Sequence, residues 1–265
     1  MHLICEHPGW RTTTTARHRT VRTTADTWQA VAGQAITTTR VGTGTDPAPV
    51  VDAYSPTDLS TRTPGTLRDA LEAQGPVSRL RNPDLWDALA TGIIRQVIRA
   101  DQARLMYHRF CTAHGTPLPV AGPPAFPRPE TVLALDENDF ADLGMKFKHL
   151  PLVAAATAFA ELGAKWMDLS PEALVAEVQT VPRIGPWTAG AAVADYTGDF
   201  SLYPYGDMAV RKYAAQAAPD LHWPSTESAF AHRWRTFAAT SAELSILTVL
   251  TLALGGHRAQ DRTPS

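Results

Sequence analysis

From Pro83 to about Gly255 apolar residues recur at helical spacing, and no alternating strand pattern returns in that span. Leu85, Ala88, Leu89, Ile93 and Ile94 share one face, and the stripe runs on through Ile98 and Ala103 to Leu105. Asn82 is placed to cap this helix and Pro83 to open it. A chain patterned this way must bury helices against helices, so the segment from about Pro83 to Gly255 is expected to form one all-α unit, within a helical core region spanning 76–255. The proline-rich run from Pro117 to Pro127 separates the first helical stretch from short helices at Glu130 to Leu135 and Asn138 to Leu143. Longer helices are predicted from Leu150 to Leu162 and from Ser170 to Val178, where Ser170-Pro171-Glu172 is a start signal. No repeat of solenoid period is present.

Residues 1–75 differ in kind. Thr12 to Thr15, Thr20-Val21-Arg22 and Ile36 to Thr39 are rich in β-branched residues, and Gly42 to Pro47 and Pro64-Gly65 are turn signals. This predicts a small β-rich layer and a connector, with a disordered Thr-rich arm as the alternative. The last residues, 256–265, including His257, are expected to be a flexible tail.

Composition narrows the function. At 265 residues and 44% hydrophobic the chain can bury a sizeable core. Its longest apolar stretches, such as Leu247 to Leu254, are too short to cross a bilayer, and Met1 to Cys5 carries no signal-peptide region. A cytoplasmic protein with no membrane partner is the expectation. Cys5 and Cys111 are too few for a disulfide framework, a four-cysteine zinc site or an iron–sulfur cluster, so no metal is expected. The net charge of −2 argues against a broad basic field for nucleic acid. Any hold on DNA must be local.

Val181-Pro182-Arg183-Ile184-Gly185-Pro186-Trp187-Thr188-Ala189 reads as a helix, a tight hairpin and a second helix. Gly185 permits the close turn, and Pro186 suits a first helical position. The N–H groups of such a helix start can hold a phosphate without a basic patch, although Pro and Gly between helices are also ordinary connection chemistry. Downstream, Tyr203-Pro204-Tyr205-Gly206-Asp207-Met208-Ala209-Val210-Arg211 sets one carboxylate between a proline-containing loop and a helical run.

In these segments the chain resembles the AlkA-like 3-methyladenine DNA glycosylases of the helix-hairpin-helix superfamily. Gly92 to Ala100, Phe126 to Glu130 and Asp136 to Met145 match the family's pattern in the same order. The resemblance implies a mostly α fold of two helical subdomains with a small N-terminal β layer, and a cleft holding Asp207. It further implies hydrolysis of an N-glycosidic bond in double-stranded DNA carrying a damaged base, by a monomer without an iron–sulfur cluster. A monovalent cation at the hairpin is compatible with it. Asp207 stands at the family's catalytic position, where a carboxylate stabilises an oxocarbenium-like sugar. As a plain structural residue it would cap the helix that starts at Met208. Arg183, Ile184, Gly185, Pro186 and Thr188 form the hairpin expected to meet DNA. Trp187 occupies the place where bifunctional relatives carry a Schiff-base lysine, so strand cleavage is not expected. Its ring can take a flipped base or can simply be core. Val97, after Gln96, falls where the family presents an apolar wedge, though an ordinary core valine would read the same. Gln96 could contact the opposite strand or serve a local turn.

The chain departs from the family in places. Arg183 replaces the hairpin's first glycine, Ala191 and Ile246 replace pocket aromatics, and the C-terminal Trp-x-Pro-Trp-Arg run is reduced to Trp234 to Ala238. Lys146, Lys148 and Arg211 read as phosphate contacts or, as isolated helix cations usually are, solvated surface, and Asp195 and Asp199 read as surface or loop residues. With only Trp187 to stack on a base and no evident acid for the leaving group, a cationic alkylpurine is the expected substrate, because its bond is already weakened. Ala191 and Ile246 leave room for a bulky adduct, and the altered pocket also suits the alternative of a DNA-binding protein that keeps the hairpin but has lost catalysis.

Overall fold

The computed structural model describes residues 1–118, 120, 122–205 and 207–260. The Thr-rich segment is ordered. Strands β1 (His2–Ile4), β2 (Arg11–Thr12), β3 (Arg17–Arg22), β4 (Thr27–Ala32), β5 (Ile36–Arg40) and β6 (Val51–Tyr54) lead to helix α1 (Gly65–Gln74) and strand β7 (Val77–Leu80). β2 to β5 form an antiparallel meander in which Val21 faces Trp28 and Ala32 faces Ile36. β7 is the middle of a second sheet, parallel to β1 and antiparallel to β6. It lies just past residue 75, where the N-terminal region was expected to end. β4 alternates by period two, burying Trp28, Ala30 and Ala32 with Trp10, Val21, Ile36 and Leu80 in a small core of their own.

The rest is helical: α2 (Leu85–Arg95), α3 (Ala100–His114), α4 (Pro129–Leu133), α5 (Glu137–Asp142), α6 (His149–Met167), α7 (Pro171–Val178), α8 (Pro186–Thr197), α9 (Met208–Ala217), α10 (Glu227–Thr236) and α11 (Ser241–Gln260). α11 thus continues through five of the residues assigned to a tail, whereas 261–265 and the side chain of His257 lie outside the described residues. No single helix among the described residues is long and apolar enough to cross a membrane.

Two helical cores result. One gathers Trp86, Leu89, Ile93, Phe110, Phe126, Phe140, Leu152 and Trp166 from α2 to α7. The other gathers Leu71, Val210, Phe230, Trp234 and Leu250 from α1 and α9 to α11, with Phe200 and Tyr203 from the segment between α8 and α9. α8 belongs to both, with Ala189, Ala192 and Val193 in the first and Ala191 and Ala194 in the second. This suits its run of small residues, which lets neighbours approach from every side.

The start and end of α2 differ from the sequence expectation. Asp84 is the cap, its Oδ1 accepting from the N–H groups of Trp86 (3.0 Å) and Asp87 (3.3 Å), while Asn82 supports Asp84 from outside the helix. The apolar stripe that runs to Leu105 is broken at 96–99, where Val97 takes φ +58°. Lys148, expected on the surface, is 3% exposed, and its Nζ donates to the carbonyls of Ile93 and Gln96, each at 2.8 Å. A helix end leaves such carbonyls without partners, and an ammonium is a favourable cap for them. Burial pushes the Lys148 ammonium down to about 8.

Asp195 is likewise buried. It pairs with Arg79 of β7 and accepts from Asn82 Nδ2 at 2.9 Å. Asp87 of α2 accepts from Arg19 of β3 (2.9 Å), Asn82 (3.2 Å) and the Tyr107 hydroxyl (2.8 Å). His7 completes the cluster, with its Nδ1 accepting from Gly9 N–H at 3.0 Å and its Nε2 beside Thr91 Oγ1 at 3.1 Å. Burial, then the charge of Arg19, lowers His7 to about 3, so it is neutral. Surface placement of Asp195 fails because arginines from two distant strands supply the charge its helix lacks.

Candidate active site

The hairpin between α7 and α8 is anchored by its apolar residues. Val181 and Ile184 are buried in the first core, whereas Pro182, Arg183, Gly185 and Pro186 are exposed. Arg183 adopts φ +70°, the left-handed conformation that a glycine would enter at no steric cost. Gly185 is the N-cap of α8 and provides no capping side chain, so the first-turn N–H groups keep no side-chain partner. Thr188 does not present its side chain to solvent. It is 1% exposed, and its hydroxyl accepts from Gln96 Nε2 at 2.6 Å. Thr188 and Ile184 therefore brace the hairpin from within, the Ile184 amide donating to the Val181 carbonyl at 3.1 Å.

Gln96 ties the hairpin to the end of α2, since Nε2 also donates to the Arg183 carbonyl at 3.3 Å. Val97 beside it is fully exposed at 103%. Its left-handed backbone and lack of cover are the opposite of a core valine. Phe147, 57% exposed, lines the same groove together with Ile98, Lys148, Pro151 and Arg183.

Asp207 lies a short loop away from α8, at the N-cap of α9. Its Oδ1 accepts from Ala209 N–H at 2.8 Å. Its Oδ2 accepts from Trp187 Nε1 at 3.1 Å and from the Tyr203 hydroxyl at 2.5 Å. Capping and a further role are thus compatible, since Oδ2 carries two donors while Oδ1 accepts only the helix amide and keeps a second acceptor site. Trp187 is half-buried, and the Arg95 guanidinium sits 5.9 Å from its ring centre. Tyr203 is buried and stacks on Phe200 at 5.8 Å. Burial, then the Asp207 charge, raises its phenol well above the ordinary range, so it stays a neutral donor.

The loop that carries Tyr203 and Asp207 rests directly on α8 at Gly190. A Cβ there would lie 2.8 Å from the Leu202 carbonyl oxygen and 3.1 Å from Pro204 Cδ. Ala191, the next residue, is buried in the second core, and Ile246 of α11 packs partly buried against that core. Asp199 caps the turn before this loop through Ser201 N–H at 2.9 Å. Arg211 is held by the Ser225 carbonyl.

Tyr203, Arg95, Gly190 and Lys148 are the residues that sequence reasoning missed as neighbours of these groups. Tyr203 had a signal, since it lies four residues before Asp207 in the quoted motif. Among the described residues no three His, Cys, Asp or Glu side chains converge as metal ligands.

No family model matches the chain, and no curated protein matches it. Solved structures do. A 3-methyladenine DNA-glycosylase from Archaeoglobus fulgidus aligns over 92% of this chain and 90% of its own, with a TM-score of 0.70 at 15% identity. An 8-oxoguanine glycosylase/lyase from Clostridium acetobutylicum aligns over 94% and 89%, with a TM-score of 0.69 at 14% identity. A 3-methyladenine DNA glycosylase from Schizosaccharomyces pombe, solved in complex with abasic DNA, aligns over 75% and 97%, with a TM-score of 0.57 at 17% identity. This chain has the mostly helical fold of the helix-hairpin-helix DNA glycosylases.

Proposed function

We propose that the chain is a monofunctional DNA glycosylase that hydrolyses the N-glycosidic bond of a flipped, alkylated purine in duplex DNA and leaves an abasic site. The observation that carries this reading is Asp207, half-buried, fixed through both oxygens and directly linked to the tryptophan of the hairpin helix. In this reading the exposed hairpin amides hold a phosphate at the N-terminus of α8, and Val97 fills the gap left by the flipped nucleotide. The base stacks beside Trp187, which puts C1′ near Asp207. As the C1′–N bond lengthens, positive charge gathers on the sugar, and the fixed carboxylate stabilises it without reorganising. Trp187 offers no amine for a Schiff base, so the product strand stays intact.

A cationic base needs no acid to leave, and among the described residues no titratable donor other than Tyr203 bonds to Asp207. Arg95 beside the Trp187 ring favours a second reading, a neutral damaged base that offers an acceptor edge to the guanidinium. The protein is proposed to act as a monomer at the nucleoid. A monovalent cation at the hairpin would be held by main-chain carbonyls, neutral donors suited to a singly charged ion, and would add a positive charge for a phosphate.

Incubation with randomly alkylated genomic DNA and mass spectrometry of released bases tests the reading. Release of 3-methyladenine and 7-methylguanine ahead of hypoxanthine and uracil supports it, and the reverse order supports the neutral-base reading. Asp207→Asn is expected to keep binding to abasic-analogue duplex and to lose excision by about a hundredfold or more. Activity within a few-fold of wild type would remove Asp207 from the mechanism.

A further inference from the structure

We propose that Tyr203 is a positioning residue for Asp207, tying down Oδ2 together with Trp187 so that Oδ1 alone is left to face the reacting sugar and water. The inference rests on the glycosylase reading above. A carboxylate oxygen has two in-plane acceptor sites. On Oδ2 the Tyr203 hydroxyl (2.5 Å) and Trp187 Nε1 (3.1 Å) take two donors' worth. Oδ1 receives the Ala209 amide at 2.8 Å and keeps one site.

Tyr203 is built to hold this position. Its ring is 6% exposed, stacks on Phe200 with planes 23° apart, and belongs to the second helical core. Gly190 admits the Leu202 carbonyl and Pro204 onto α8, which sets where the ring enters. The phenol stays protonated because it is buried beside a negative charge, so it donates at every working pH.

The division of labour has a chemical result. When the C1′–N bond breaks, its electron pair leaves on the purine, and a cationic base departs neutral. Water then adds its oxygen to C1′, and the proton it sheds passes to Oδ1 and on to solvent. Oδ2, with both sites filled, takes no part in that transfer and anchors the group.

Tyr203→Phe removes one oxygen atom and keeps the stacked ring. In the full-length protein, single-turnover release of 7-methylguanine from a defined duplex is expected to slow by about tenfold to a hundredfold. Affinity for an abasic-analogue duplex should stay within about twofold, since the phenol donates to Asp207 and not to a group of the hairpin backbone. The acid limb of the rate–pH profile should move up by about one unit, because a carboxylate that loses a donor is less stable as an anion. A purely structural tyrosine would not move that limb. A rate within about twofold with an unmoved acid limb would overturn the proposal and leave the glycosylase reading intact. Equal losses of binding and rate with a large fall in Tm would overturn it in favour of a packing role. Absence of base release by the wild-type protein from alkylated DNA would instead remove the glycosylase reading, and the proposal with it.

Discussion

Gly190→Ala tests how tightly the loop that carries Tyr203 and Asp207 is held to α8. The added Cβ would lie 2.8 Å from the Leu202 carbonyl oxygen, so ordinary contact at 3.4 Å requires a shift of about 0.6 Å. Neither side can yield freely: Ala189 and Ala192 seat α8 in one core, and Tyr203 and Phe200 seat the loop in the other. Overpacking of this kind costs about 1–3 kcal/mol, which for a chain of this size lowers Tm by about 2–4 °C per kcal/mol. The effect on chemistry should be separable. A misplacement of 1 Å can cost about a hundredfold, so a movement of just over half that at Asp207 should cost about tenfold in single-turnover excision. Affinity for an abasic-analogue duplex should change little, because the hairpin lies at the other end of the same contact. Thermal melts, binding titrations and excision rates on one preparation decide it. Wild-type rates at a lowered Tm would mean that the loop absorbs the shift and that its placement does not govern catalysis.

Gly185→Ala makes the complementary case. No atom lies within 4 Å of the added Cβ and the backbone is at φ −90°, so Tm should hold while DNA affinity falls, if a phosphate approaches there; unchanged affinity would clear Gly185 of DNA contact. Binding should weaken only gently with salt, each phosphate neutralised by a cation contributing about −0.9 to the log–log slope, and a steep slope would reveal a basic surface instead of hairpin amides. Product strands should stay whole until treated with alkali, and borohydride should trap no covalent adduct; a trapped adduct would point to an amine in the site. Stability should fall as pH drops. His7 titrates at about 3 in the folded chain against 6.5 ordinarily, so between those values only the unfolded state gains its proton, at a cost to folding of up to about 1.4 kcal/mol per pH unit. Ring resonances of His7 that titrate above pH 6 would refute this.

The hairpin is legible in the chain because its unusual backbone is written in residue types: Gly185 and Pro186 mark the turn and the helix start. The carboxylate at 207 is legible by its distance from that turn. The end of α2 is not. Val97 sits in an unbroken apolar stripe, and nothing local distinguishes a valine at positive φ from one in a helix. The carbonyls at that end are capped by Lys148, from a segment about fifty residues later, so the support for the break is tertiary. Asp195 misleads in the same way, since a single acidic residue among small ones looks solvated until Arg79 and Asn82 arrive from elsewhere. The role of Tyr203 as donor to Asp207 was within reach, since four residues separate them, but a tyrosine near a loop proline has many uses.

The buried cluster of His7, Arg19, Arg79, Asn82, Asp87 and Asp195 makes the β layer inseparable from the helices behind it. Asp87 belongs to α2, which ends at the exposed valine, and Asp195 belongs to α8, which begins at the hairpin. Their partners Arg19 and Arg79 are strand residues. A fragment trimmed to the helical part would leave these two carboxylates without their arginine partners, so this layer is no detachable module: transplanting it, shortening it or replacing it with a fusion partner would disturb α2 and α8, the helices next to Val97 and the hairpin.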